Sequence, residues 1–232
     1  MRHIVTEFEN ELRALKDGLI EMGAFARVQF TDAMTAFASG NVDDAVAVIE
    51  GDARVDAHER MIDGLAVRVL TLRQPMAGDM RRVVTSLKIS ADLERIGDYA
   101  KNIAKRTVAL SRMDGHPPKE RLVELGRVVD EILGEVVEAY AARDADRAVA
   151  AWRRDTEVDA LHDRIVSELM SLIAEKAEYS AAAVHLLFAA KNIERVGDHA
   201  TNVAEHVHFL ALGKFLEADR TRGEPLSSAA GD

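Results

Sequence analysis

The chain repeats itself. ERIGDYAKNIA at 94–104 returns as ERVGDHATNVA at 194–204, an offset of 100 with seven identities in eleven positions. An earlier block, GNVDDAVAVIEGDARVD at 40–56, aligns with RDADRAVAAWRRDTEVD at 143–159 at an offset of 103, and the same offset sets Met22-Gly23 opposite Leu125-Gly126. The three-residue difference is absorbed where the first half has RQPMAGD and the second only AEYS. Order and spacing persist over most of each half, so a unit of about 100 residues is duplicated. Each copy must bury its apolar face in the same way.

The periodicity within each unit is helical. Phe8, Leu12, Leu15, Leu19, Met22 and Phe30 recur at three- and four-residue steps, predicting a helix from about Ile4 to Ala38. Gly40-Asn41 stops it, and Asn41 is placed to cap a second helix whose first turn carries Asp43 and Asp44, where the helix dipole favours acids. That second helix is expected to run unbroken to Arg73, ahead of Gln74-Pro75. A third runs from about Gly78 to Met113, and His116-Pro117-Pro118 forms the link. The second unit repeats the plan from Lys119 to Ala142, from a capping Asp144 to Ala177, and from a capping Ser180 to about Leu216. The predicted fold is all-α: two tandem, pseudo-symmetric three-helix bundles of long antiparallel helices. The expected domains are residues 1–115 and 116–219, followed by a flexible tail at 220–232.

Composition narrows the function. Cysteine is absent, which removes disulfides, thiolate metal sites and cysteine nucleophiles. A net charge of −10 argues against nucleic acid, which needs a basic face. The start, MRHIVTEFENEL, lacks a signal-peptide core, and AAAVHLLFAA at 181–190 is too short for a membrane span, so a cytoplasmic protein is expected. No glycine-rich phosphate loop, nucleophile elbow or serine triad signature is present, and no catalytic residue is assigned.

Chemistry concentrates in four acid pairs of one spacing: Asp52/Asp56, Glu94/Asp98, Asp155/Asp159 and Glu194/Asp198. Residues four apart share a helix face, and two anions there repel by a few tenths of a kcal/mol. Repeating that cost four times in register calls for a cation, since hard metals take several oxygen ligands at once. A solvated acidic face is the competing reading of any single pair. Each unit would bring one pair from its second helix and one from its third. Glu94 and Asp98 lie more than about 100° around the helix from the stripe of Leu93, Ile96, Ala100 and Ile103, so the cluster is expected on an outer surface or shallow groove. Gly97 and Gly197 inside helices suggest close packing, with space beside a metal as the alternative. Trp152 reads as core. His58, His162, His199, His206 and His208 show no spacing common to both units.

ERIGDYAKNIA, ERVGDHATNVA and RQPMAGDMR at 73–81 resemble the PhoU family of phosphate-signalling proteins, over the whole chain except the tail. The resemblance implies tandem three-helix bundles carrying multinuclear metal clusters on surface carboxylates, with iron the leading metal and Mn, Mg or Zn accepted by similar donors. The implied ligands are Asp52, Asp56, Glu94 and Asp98 in one site and Asp155, Asp159, Glu194 and Asp198 in the other; all eight positions are acids here. It further implies a cytoplasmic homodimer, at the membrane only through its partners. It would act between the Pst phosphate ABC transporter, through the ATPase subunit, and a PhoR-type sensor kinase. In that role it represses the phosphate-starvation response and limits phosphate uptake without being an enzyme. Two other functions fit the residues: a metal-dependent phosphohydrolase, and a structural bundle without metal.

Overall fold

The first helix, α1 (Arg2–Ser39), buries Leu12, Leu15, Leu19, Met22, Ala26, Phe30, Ala33 and Phe37, one side chain per turn on one face. Gly40, at φ +74°, ends it, and Asn41 caps α2 (Val42–Gly51) by accepting from the Asp43 and Asp44 amides at 3.0 and 3.3 Å. The chain continues through α3 (Ala53–Arg73) and α4 (Gly78–Leu110). The second unit comprises α5 (Glu120–Ala142), α6 (Ala145–Arg153), α7 (Asp155–Glu175), a single 3-10 turn at Ala177–Tyr179, and α8 (Ser180–Leu212). The computed structural model describes residues 2–216, with side chains from residue 6, and no strand occurs among them. The tail expected at 220–232 lies outside the described residues.

The expected middle helix of each unit is not one rod. It breaks at Asp52 between α2 and α3, and at Arg154 between α6 and α7. At each break one carbonyl accepts from amides both three and four residues ahead: Asp52 O from Val55 and Asp56, and Arg154 O from Glu157 and Val158. Such tightening of a turn bends a helix without proline. The ends of the third helices also fall short of expectation, at Leu110 and Leu212, and Ser180 begins α8 without acting as its side-chain cap. Asp144 does cap, accepting from the Arg147 amide at 3.0 Å.

The two units pack along α4 and α8, which make the broadest helix contact in the molecule. These helices are antiparallel: Asp92 meets His199 while Arg106 meets His185. Beside them α1 runs antiparallel to α5. A Cβ at Gly23 would stand 3.0 Å from Val137, and one at Gly126 would stand 2.4 Å from Met34. Those two contacts are the same contact repeated by the duplication, so the units are related by a pseudo-twofold. The broken middle helices flank this four-helix centre, α2 and α3 on one side and α6 and α7 on the other.

Candidate metal centre

Each break places the first acid of a pair at a helix junction, facing the third helix of its unit. In the first unit Asp52 is buried, at 6% exposure, deeper than the outer surface or shallow groove expected for the cluster. Bending between α2 and α3 turns its carboxylate inward. Oδ1 accepts from Gln29 Nε2 at 2.9 Å, and Oδ2 accepts from the Lys101 ammonium in a close ion pair. Lys101 Nζ also donates to Asp98 Oδ1 at 3.1 Å, so one cationic side chain joins the acid at the α2–α3 break to one on α4. The Asp52 carboxylate is among the causes that hold the Lys101 ammonium above the ordinary lysine range; its hydrogen bond is the largest, and Asp98 adds to it. Arg95 lies 3.6 Å from Glu94 and 3.7 Å from Asp98 on their outer side.

Asp56 and Glu94 complete this cluster, both half-buried, together with Glu59, which the repeated spacing did not single out. Burial raises the Glu94 carboxyl above its ordinary range, and the Asp98, Glu59 and Asp56 charges add to the shift. Burial likewise raises Glu59, with Asp63 and Asp56 contributing. Glu59 corresponds to His162 in the second unit, so a search for residues common to both halves passes over it.

The second unit assembles the equivalent residues differently. Asp159 on α7 and Glu194 and Asp198 on α8 present one oxygen each, all within 4.8 Å of one another. Glu194 is buried, at 8% exposure; its Oε1 accepts from Lys191 Nζ at 2.6 Å, whereas Oε2 is buried with no hydrogen-bond partner. An acceptor left so is costly unless a cation or donor completes it. Asp155 joins the group from the start of α7, with Thr201 Oγ1 3.4 Å from its Oδ1. Burial pushes the Asp198 carboxyl up to about 6, and the Glu194, Asp155 and Asp159 charges push the same way. Hard cations suit such a donor set, and oxygens this close together can converge on one.

The glycines of the repeated motif serve packing, as expected. A Cβ on Gly97 would sit 3.1 Å from Gln29 Oε1 and 3.4 Å from Val55, and one on Gly197 would sit 3.2 Å from Val158. Two of the histidines face elsewhere. His199 Nδ1 and His206 Nε2 lie 2.8 and 3.3 Å from Asp92 of the other unit, and Asn202 Nδ2 lies 3.4 Å from it. Burial alone would raise the Asp92 carboxyl; the hydrogen bonds and the charges of the two rings together outweigh it and hold the carboxyl below its usual range. Asp92 has no repeated counterpart, since Asn192 stands there. Trp152 is partly buried and donates from Nε1 to Glu205 at 2.9 Å.

A duplicated all-α scaffold whose paired acids converge between the second and third helices of each unit defines a class of helical, carboxylate-displaying proteins. Within that class the match is specific. The PhoU domain model matches residues 19–107 and again 122–207, one copy per unit. The phosphate-specific transport system accessory protein PhoU homolog of Caulobacter vibrioides is 41% identical over 226 residues, 97% of this chain and 98% of that one. Its counterpart in Zymomonas mobilis is 39% identical over 229 residues, 99% of this chain and 96% of its own. The crystal structure of PhoU from Pseudomonas aeruginosa superposes with a TM-score of 0.87 at 33% identity, covering 89% of this chain and all of that one. The chain belongs to the PhoU family. No helix among the described residues is long and apolar enough to cross a membrane.

Proposed function

We propose that the chain regulates phosphate transport as a rigid helical adaptor and not as an enzyme. It acts between a Pst-type phosphate ABC transporter, which it meets at the ATPase subunit, and a PhoR-type sensor kinase. There it represses the phosphate-starvation response and limits phosphate uptake, as a cytoplasmic homodimer. The near end-to-end match with accessory proteins of phosphate-specific transport carries this reading. The adaptor role is favoured over hydrolysis by the placement of two histidines. His199, next to Asp198 in sequence, and His206 are turned onto Asp92, so neither is placed to move a proton at Asp198.

The metal belongs to the same proposal. Asp155, Asp159, Glu194 and Asp198 hold a cation cluster, with iron the leading occupant and Mn, Mg or Zn accepted by similar donors. The buried, unpartnered Glu194 Oε2 supports it. Asp52, Asp56, Glu94 and Asp98 form the second candidate site, in which Lys101 would first have to swing aside.

Two measurements test the halves of this reading. Deleting the gene should derepress a phosphate-starvation reporter and raise phosphate uptake, and tagged transporter ATPase or sensor kinase should capture the purified chain. An unchanged reporter with no capture would refute the adaptor role. Elemental analysis of untagged protein beside Asp159→Asn/Asp198→Asn should find metal in the first and a clear loss in the second; equal content in both would refute the site.

A further inference from the structure

The first unit carries a groove that its sister unit has filled. Phe25, Val28, Val48 and Val55 floor a cavity of about 460 Å³ between α1, α2 and the start of α3. Asp32 and Asp44 stand on its rim, and Gly51 lies at its edge. Val28 is 57% exposed, a large apolar side chain left uncovered. Neither rim carboxylate has a cationic side chain within 4 Å among the described residues. Arg54 also lines the groove, but its guanidinium is committed to the face of Phe25, 4.3 Å from the ring centroid.

The duplication tells what belongs there. At the offset of 103, Gly51 corresponds to Arg154, Val28 to Glu131 and Asp32 to Glu135. In the second unit the Arg154 guanidinium fills the corresponding space, bonding Glu131 at 3.0 Å, Glu135 at 3.1 Å and Glu157 at 3.1 Å. The first unit keeps one of those acids as Asp32 and replaces Arg147 with a further acid, Asp44, while the arginine itself is gone. Where the second unit has Ile132, the first has Gln29, whose Oε1 is buried without a donor. A Cβ on Gly51 would meet nothing within 4 Å, so the space the arginine would fill is open.

We infer that this groove docks an arginine side chain presented by a partner protein, with Arg154 of the sister unit as the built-in picture of the bound state. The guanidinium spans Asp32 and Asp44, which a planar fork of five donors does better than an ammonium. Apolar residues flanking the arginine cover Val28 and Val48. The partner segment is therefore basic and amphipathic, and its recognition is set by charge complementarity on an apolar floor.

The probe is a short amphipathic helical peptide with one arginine among alanines and leucines, beside versions carrying lysine or citrulline in its place. Methyl NMR of the full chain should show saturable shifts at Val28, Val48 and Val55 with the arginine peptide. Binding should weaken several-fold with lysine, and about tenfold or more with citrulline or in Asp32→Asn/Asp44→Asn. Filling the groove from within, by Val28→Glu/Gly51→Arg, should abolish those shifts while raising the melting temperature, which separates occupancy from misfolding. Equal binding of the citrulline peptide, or shifts confined to other methyls, would overturn the inference. It would equally fall if Arg220→Gln/Arg222→Gln, with no peptide present, moved the same methyls, because the groove would then hold the chain's own tail.

Discussion

The two acid clusters share ancestry, spacing and helix context, yet they settle their charge to different extents. In the first, Lys101 reaches between Asp52 and Asp98 and supplies a cation from within the chain. In the second, the same position is Thr201, whose hydroxyl sits 3.4 Å from Asp155 and adds no charge. Three carboxylate oxygens there lie within 4.8 Å of one another, with a buried Glu194 oxygen unpartnered. The helices and the acids recur together; Lys101 bridges acids across two elements of the first cluster, whereas Lys191 in the second reaches Glu194 from the same helix and leaves its Oε2 unpartnered. Identity of acids between two clusters is therefore a poor guide to identity of their electrostatic surroundings.

The largest test removes the internal partner. Asp52 is buried against Lys101 and Gln29, so Asp52→Ala should leave an ammonium and an amide short of an acceptor and cost about 3 kcal/mol in the metal-free protein. Urea unfolding in the presence of a chelator measures it. Asp198→Asn, in the other cluster, should stabilise the same metal-free protein, because it relieves repulsion instead of breaking a pair. Destabilisation by both would mean that the clusters are neutralised alike, and the comparison would fail.

A reciprocal exchange is the next in size. Lys101→Thr should raise the affinity of the first cluster for Mn²⁺ about tenfold or more, and Thr201→Lys should lower that of the second by a similar factor. Calorimetric titration of the single variants and of the double exchange would show whether the preference for the second cluster moves with the lysine. Unmoved affinities would assign the difference to backbone geometry.

Much of this was readable before any coordinates. The helical period, the capping Asn41 and Asp144, the duplicated boundaries and the tight packing at Gly97 and Gly197 follow from spacing and from local backbone chemistry. The breaks at Asp52 and Arg154 were not, because no proline marks them and neither residue caps the following helix through its side chain, and they are what buries Asp52. Lys101 was visible as one of four differences between the repeated motifs, but comparison by likeness gives weight to what recurs. Glu59 and Asp92 escaped for the same reason, having His162 and Asn192 as counterparts. Asp92 also depends on His199 and His206 of the other unit, and a contact across an interface leaves no period in the sequence.

The smallest effect gives the comparison a pH axis. With its carboxyl pushed up to about 6 from an ordinary 3.8, Asp198 binds its proton more tightly in the folded chain than in the unfolded one. Below the ordinary value both states are protonated and the group costs nothing. As pH rises through the interval between 3.8 and about 6, the unfolded state releases its proton first, and folding stability falls. Above about 6 the penalty is complete. Because the side chain is partly open to solvent, screening reduces it to about 1 kcal/mol. The stability gained by Asp198→Asn in metal-free protein should therefore be near zero at the acid end of that interval and level off above its upper end. Saturating Mn²⁺ should invert the sign at neutral pH, since the wild-type carboxylate then has a cation to hold and the amide is the poorer ligand. A gain that is flat across the interval would show that burial of Asp198 does not govern the second cluster. A gain that persists unchanged with Mn²⁺ would show that the ion goes elsewhere.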